Sequence, residues 1–123
     1  MFADSLMWYH PSGVKVYLSL GSTDMRKSID GLSILVAKHL KEDPFSGHLY
    51  VFCNRNRTIL KLLYWESNGF CLWHKRLERQ RFRWPQEAAD VKEIGSRELE
   101  WLISGLDITQ VEAHERLSYS SVY

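Results

Sequence analysis

The sequence lacks the features that mark secreted and membrane-spanning proteins. Residues 1–13 show no basic region followed by an apolar stretch, which a secretory signal requires. No apolar run approaches the roughly 18 residues that a membrane-spanning helix needs. We therefore expect a cytoplasmic protein with no membrane partner. In that compartment the two cysteines, Cys53 and Cys71, are expected to be reduced thiols buried inside strands.

Catalytic and metal-binding motifs are also missing. The chain has no GxSxG motif, no phosphate-binding glycine loop and no dinucleotide-binding fingerprint. Asp24 and Asp30 would point to different sides of one helix, so we expect a helix cap and a surface charge. The possible zinc ligands are His48, Cys53, Cys71 and His74, and no pair of them has CxxC or HxxxH spacing. We predict a protein that is not an enzyme, with no catalytic residue, metal or cofactor.

The net charge of only +1 conceals a strongly basic segment. Residues 54–83 contain eight Lys or Arg and two Glu, a net +6, so the rest of the chain carries −5. Most aromatic residues lie between positions 45 and 84, and this mixture of basic and aromatic residues suggests a nucleic-acid surface or an acidic protein partner. The candidate nucleic-acid contacts are Arg55, Arg57, Lys61, Lys75, Arg76, Arg79, Arg81 and Arg83.

The hydrophobic pattern predicts a single α+β domain over residues 1–123, with an ordered core at about 14–107 and a loose tail at about 110–123. Alternation in Val14 to Leu20 predicts a strand, and an apolar stripe from Met25 to about Lys41 predicts one main amphipathic helix. Three further apolar and aromatic runs, at 48–53, 59–66 and 70–75, predict a small antiparallel β-meander of about four to five strands. A short C-terminal helix is expected from Ser96 to Ile103.

Two features of the expected sheet stay open. Apolar residues occur on both faces of the three runs, so one face packs on the helix and the other must be covered or used. Residues after Lys75 fit either a helix or an extended segment. In the extended form one side carries Arg79, Arg81 and Arg83, while the other carries Gln80, Phe82 and Trp84. The strict alternation up to Trp84 favours the extended form.

A series of ordered motifs connects the chain to a known family. They are Asp24-Met25-Arg26-Lys27-Ser28-Ile29-Asp30-Gly31-Leu32, Asp43-Pro44-Phe45-Ser46-Gly47, Val51-Phe52-Cys53-Asn54-Arg55, Lys61-Leu62-Leu63-Tyr64-Trp65, Gly69-Phe70, Lys75-Arg76-Leu77-Glu78 and Arg81-Phe82-x-Trp84-Pro85. In this order they resemble TnpB, the accessory protein encoded by the second open reading frame of bacterial insertion sequences of the IS66 group. The resemblance covers about Val16 to Asp107. Two positions depart from it: Asn56, where relatives often carry Arg, and Gln80, where they often carry Gly.

This resemblance implies a role in transposition, a form of DNA recombination, alongside a separate transposase and a second accessory protein of the same element. The expected protein is non-enzymatic and binds DNA at the element ends or target, in the bacterial cytoplasm and at the nucleoid when DNA-bound. The alternative is a protein–protein adaptor that docks the transposase or the other accessory protein without touching DNA. Its candidate contacts are Ile34, Tyr64, Trp65, Trp73 and Trp84.

Overall fold

The computed structural model describes residues 13–105 of the 123-residue chain. Within this range the chain forms five strands and two helices, and this confirms the predicted α+β class with its main and short helices. In chain order they are β1 (Val16–Ser19), α1 (Ile29–Lys38), β2 (Leu49–Cys53), β3 (Ile59–Glu66), β4 (Gly69–Arg76), β5 (Val91–Ile94) and α2 (Ser96–Ile103). The predicted loose tail lies outside the described residues.

The strands form one sheet in the order β4-β3-β2-β1-β5. Strands β2, β3 and β4 make the predicted antiparallel meander. Strand β1 instead runs parallel to β2, because α1 crosses over the sheet and returns the chain to the same end. Strand β5, which lies in the segment after Pro85 where the sequence predicted no strand, pairs antiparallel with β1. The sheet is therefore mixed.

Helix α1 begins four residues later than its apolar stripe predicts, because residues 24–27 form a turn. The amide of Lys27 donates to the carbonyl of Asp24 at 3.1 Å, and Oδ1 of Asp24 accepts from the backbone amide of Arg26 at 2.9 Å. Asp24 thus fastens this turn and is not the helix cap that was expected. After the turn, Leu32 and Val36 of α1 are fully buried against one face of the sheet.

The opposite face of the sheet is also covered. The chain after β4 crosses it in an extended form, with Phe82 and Trp84 buried against the strands and Arg81 and Arg83 exposed. The alternation from Arg81 to Trp84 agrees with the extended interpretation, but Gln80, which was expected on the side of Phe82 and Trp84, is exposed, because the chain bends at Glu78 and Arg79. The indole Nε1 of Trp84 donates to the carbonyl of Ser19 at 3.0 Å. Helix α2 covers the rest of this face with Leu99, Leu102 and Ile103, so the sheet is the middle of three layers.

Candidate nucleic-acid interface

The β2–β3 loop and the segment after β4 meet at one end of the sheet. The amide of Leu77 donates to the carbonyl of Thr58 at 2.8 Å, and the amide of Phe82 donates to the carbonyl of Arg57 at 2.7 Å. These two backbone bonds connect the two basic stretches of the sequence, which are separated by the whole β3–β4 hairpin. The structure therefore brings the loop with Arg55 and the segment with Arg79, Arg81 and Arg83 to the same end.

Asn54 gives the β2–β3 loop a fixed shape. Its Oδ1 accepts hydrogen bonds from the amides of Thr58 at 2.8 Å and Ile59 at 3.0 Å, and its Nδ2 donates to Thr58 Oγ1 at 3.1 Å. An asparagine that closes its own turn in this way holds a loop without a helix or strand. Arg55 and Asn56 lie at the exposed tip of the loop.

Arg57, a predicted contact in the same loop, is used inside the fold. Its guanidinium donates to the carbonyls of Leu20 at 3.3 Å and Asn54 at 3.4 Å. The guanidinium carbon also lies 5.6 Å from the ring centroid of Trp84, at cation–π distance. Arg57 therefore holds the end of β1, the loop and the extended segment together, and it adds positive charge beneath the surface.

Two predicted contacts have ammonium groups that the fold itself uses. Lys61 is only 8% exposed, and its Nζ donates to the carbonyls of Met25 at 2.8 Å and Lys27 at 2.9 Å. Lys75 donates to the carbonyl of Ile103 at 3.0 Å, at the C-terminal end of α2, where cations are favourable. Both predictions are corrected here, because alternation along β3 and β4 turns these side chains towards covered faces.

The remaining predicted cations are exposed but differ in whether they form an ion pair. Arg76 is exposed but forms an ion pair with Glu78, at 2.9 Å between Nε and Oε2. Exposed guanidinium groups without such a carboxylate contact in the described residues belong to Arg55, Arg79, Arg81 and Arg83. We name these four the arginine surface. Three of them line a cleft of about 380 Å³, whose lining within residues 13–105 is Arg79, Gln80, Arg81, Arg83 and Gly105. None of these five residues is acidic.

The candidate protein contacts divide by burial. Tyr64 and Trp84 are 3% and 7% exposed and belong to the core, so the structure corrects both as surface anchors. Trp73 is half-buried and packs against the same core cluster. Ile34 is 54% exposed on the outer side of α1, as the sequence indicated. Strand alternation could not separate these cases, because the layer over the second sheet face was not foreseen.

A surface aromatic cluster was missed in the sequence. Phe45, Trp65 and Phe70 pack with ring centroids 5.0 to 5.2 Å apart, and Phe45 remains 57% exposed. Trp65 was a candidate, but Phe45 was named only within the family motif at 43–47, which forms a turn in the structure. An aromatic residue at the tip of such a turn is the signal that could have identified it.

The ionisable groups of the described residues show no catalytic arrangement. Residues 13–105 contain no group of three His, Cys, Asp or Glu side chains placed to hold a metal ion. Hydrogen bonds from Arg26 lower the pKa of Asp24 to about 2, so this carboxylate is engaged by its neighbour. Burial raises the pKa of Cys53 to about 11, which keeps it a thiol. Both pKa shifts arise from contacts within the fold, namely the hydrogen bonds from Arg26 and the burial of Cys53.

The helices in the described part of the chain are too short and too polar to cross a bilayer. What distinguishes the domain is a mixed sheet covered on both faces, with exposed arginines on a braced loop and an extended segment at one end. These features define a small α+β domain with a basic surface at one end.

Comparison with known proteins identifies the family. The model of the IS66 Orf2-like proteins, TnpB_IS66, matches residues 14–113, and the chain belongs to this family. The uncharacterized protein y4hO of Sinorhizobium fredii (strain NBRC 101917 / NGR234) is 39% identical over 99 residues, which cover 79% of this chain and 86% of the relative. The uncharacterized protein y4jC of the same strain is 30% identical over 100 residues, covering 81% of this chain and 86% of the relative. No solved structure matches the chain. Family membership indicates an accessory role in insertion-sequence transposition.

Proposed function

We propose that this protein is a non-enzymatic accessory factor of transposition that binds DNA through the arginine surface. The observation that carries the proposal is the cleft lined by Arg79, Arg81 and Arg83. Backbone hydrogen bonds join its segment to the loop that bears Arg55. Guanidinium groups bind phosphate oxygens in a bidentate manner, and they stay charged at every physiological pH.

The segment that carries the arginines suits a phosphate backbone. Arg81 and Arg83 alternate with the buried Phe82, so both lie on its exposed side, and Arg79, at the bend after β4, lines the same cleft. Phe82 and Trp84 anchor the other side of the segment in the core. The backbone is therefore held before DNA arrives, and little backbone freedom needs to be lost on binding.

The same geometry favours binding to DNA of any sequence over recognition of a particular sequence. The arginine surface lies on a loop and an extended segment, and none of its members is on α1 or α2. Contacts to phosphates fix position but carry no sequence information directly. We therefore expect similar affinities for element-end DNA and for an unrelated duplex of equal length.

The salt dependence of binding tests the proposal quantitatively. Eight phosphate contacts would give a slope of log K against log salt of about −7, whereas the four exposed arginines give about −3.6. Fluorescence anisotropy with a labelled duplex measures this slope. Replacement of Arg79, Arg81 and Arg83 by Ala should reduce the slope to about −1 and abolish binding at moderate salt.

A matched control removes positive charge elsewhere. Lys15 and Lys38 are exposed and lie outside the arginine surface. The double variant Lys15→Ala/Lys38→Ala should retain nearly full affinity. No binding by the wild type at low salt, or equal losses in the arginine and lysine variants, would refute the proposed site.

The adaptor function is the second candidate, and the exposed aromatic cluster favours it. Interface hot spots are enriched in aromatic residues that are already packed, as Phe45 is against Trp65 and Phe70. In a pull-down with the transposase and the second accessory protein of the same element, Phe45→Ala should abolish capture and leave DNA affinity unchanged. Lys38→Ala, which shortens an exposed side chain on α1 outside the aromatic cluster, is the control. Unchanged capture by Phe45→Ala would eliminate this surface as the docking site.

A further inference from the structure

We propose that two copies of this protein pair through the outer edge of β4, in antiparallel orientation, to form one continuous sheet. Within residues 13–105, β4 pairs with β3 and lies at the edge of the sheet. It is eight residues long, whereas the opposite edge strand, β5, has four. A long open edge presents a row of backbone donors and acceptors that can receive another strand.

Strand β4 lacks the usual protection of an edge. Its register with β3 is continuous from Ile59↔Arg76 to Glu66↔Gly69, so no bulge twists it away, and it contains no proline. Charged side chains often guard edges. In β4, however, Lys75 is directed to the carbonyl of Ile103 and Arg76 pairs with Glu78.

Both faces of the β4 edge carry apolar side chains that are only partly covered. Phe70 and Leu72 face the α1 layer, and Cys71 and Trp73 face the α2 layer. All four are half-buried. An added strand with the same alternation would cover both rows at once. The β4 strand of a second copy has this alternation.

Symmetry and chemistry select one register. A two-fold axis perpendicular to the sheet keeps each face on its own side, so even-numbered residues of β4 oppose even-numbered ones. An axis at Leu72 places Leu72 opposite Leu72 of the second copy, Phe70 opposite His74, and Cys71 opposite Trp73. The alternative axis at Trp73 would place Phe70 opposite Arg76. The axis at Leu72 is favoured because apolar and aromatic side chains then meet on both faces.

Charge also favours the antiparallel self-pairing. The charge of Lys75 at the end of β4 has only a neutral carbonyl as its partner, whereas Arg76 is balanced by Glu78, and the hairpin end lies beside Glu66. The carboxylate of Glu66 already leans over β4, with Oε2 at 3.9 Å from the sulfur of Cys71. An antiparallel second copy brings its basic end to this acidic end, and the same contact forms twice about the axis.

A disulfide trap tests the interface and its register together. Leu72→Cys is made in a Cys71→Ser background, which leaves only the fully buried Cys53 as a native thiol. Directly opposed residues of antiparallel strands have Cα atoms about 4.5 to 5.5 Å apart, within the roughly 4.4 to 6.8 Å range for a disulfide. Mild oxidation should therefore give a covalent dimer. Ile34→Cys in the same background, exposed on α1, should stay monomeric.

Light scattering and sedimentation measure the assembly without a crosslink. The wild type should show twice the monomer mass, and Leu72→Lys, which places a charge on the edge, should shift it to the monomer. Ile34→Lys adds the same charge elsewhere and should remain dimeric, and circular dichroism checks that both variants are folded. A monomeric wild type at all accessible concentrations would overturn the proposal. Crosslinking of native Cys71, with none at Leu72→Cys, would overturn the register.

Discussion

The variant Lys61→Met tests whether Lys61 stabilises the fold or contacts DNA. In the folded protein Lys61 is 8% exposed, and its ammonium donates to the carbonyls of Met25 and Lys27, at 2.8 and 2.9 Å. Both carbonyls belong to the region that precedes α1. Methionine has similar length and apolar bulk but cannot donate these bonds, so the substitution removes the charge and leaves the packing largely intact.

The expected loss of stability follows from three contributions. Hydrogen bonds from charged groups contribute about 1.5 to 3 kcal/mol each, so two give roughly 3 to 6 kcal/mol. Removing a buried ammonium recovers part of this amount, because its desolvation no longer opposes folding. Water also reaches the freed carbonyl region, since Lys27 is exposed. We expect a net loss of about 2 kcal/mol in the free energy of unfolding, or roughly 8 °C in Tm for a domain of this size.

Denaturant titration and DNA titration together check this prediction. Lys61→Met should lower the urea midpoint with an unchanged m-value, since the exposed area of unfolding does not change. At a temperature where the variant is fully folded, its affinity for DNA and its salt slope should equal those of the wild type. A variant of wild-type stability whose salt slope is smaller by about 0.9 would refute the structural role of Lys61, because that change is the signature of one lost phosphate contact.

Three further predictions concern the parts that position the arginine surface. Trp84→Phe removes the bond to the buried carbonyl of Ser19 and should cost about 1 to 3 kcal/mol in the free energy of unfolding, measured by urea titration. Because folding lowers the pKa of Asp24, its ionised carboxylate stabilises the fold at pH values above 3.8, its pKa in the unfolded chain. This contribution should fade as the pH falls from 3.8 towards about 2. Asp24→Asn should therefore flatten the fall of Tm in this range. With an aromatic disulfide reagent, the monomeric Leu72→Lys variant should react at half-buried Cys71, whereas Cys53, with its pKa raised to about 11, should react only on unfolding.

The sequence predicted the elements well where one periodicity dominated. The meander runs and the second helix were found because alternation, Asn68-Gly69 and the apolar positions of α2 all favour the same structure. The parallel pairing of β1 was not predicted, since the hydrophobic pattern does not show at which end of the sheet the chain enters the strand that follows a helix. Strand β5 was missed because Val91–Ile94 has only four residues within an acidic stretch.

The basic surface was only half predictable, for a physical reason. Composition identified eight cations, but it cannot tell an exposed guanidinium from an ammonium that binds carbonyls. That distinction depends on tertiary contacts, such as Lys61 with residues before α1 and Lys75 with Ile103. The alternation of residues 81–84 was more informative, because a segment that buries Phe82 and Trp84 on one side places Arg81 and Arg83 on the other.

The two proposals together have a geometric consequence. The basic end of the domain lies where β4 ends, since Arg76 pairs with Ile59 next to the β2–β3 loop. In an antiparallel pair of β4 strands these ends lie on opposite sides of the two-fold axis, separated by about the length of the strand, roughly 25 Å. The two arginine surfaces therefore face away from each other, and one dimer should hold two duplexes.

A bridging assay examines this consequence. Beads carrying one duplex should capture a second labelled duplex in the presence of the wild type. Leu72→Lys should bind a single duplex with wild-type affinity but fail to bridge, because it retains the arginine surface and loses the second copy. Triple replacement of Arg79, Arg81 and Arg83 should abolish both activities, whereas Ile34→Lys should preserve both. Bridging by a variant shown to be monomeric would contradict the arrangement, since one arginine surface cannot hold two duplexes at once.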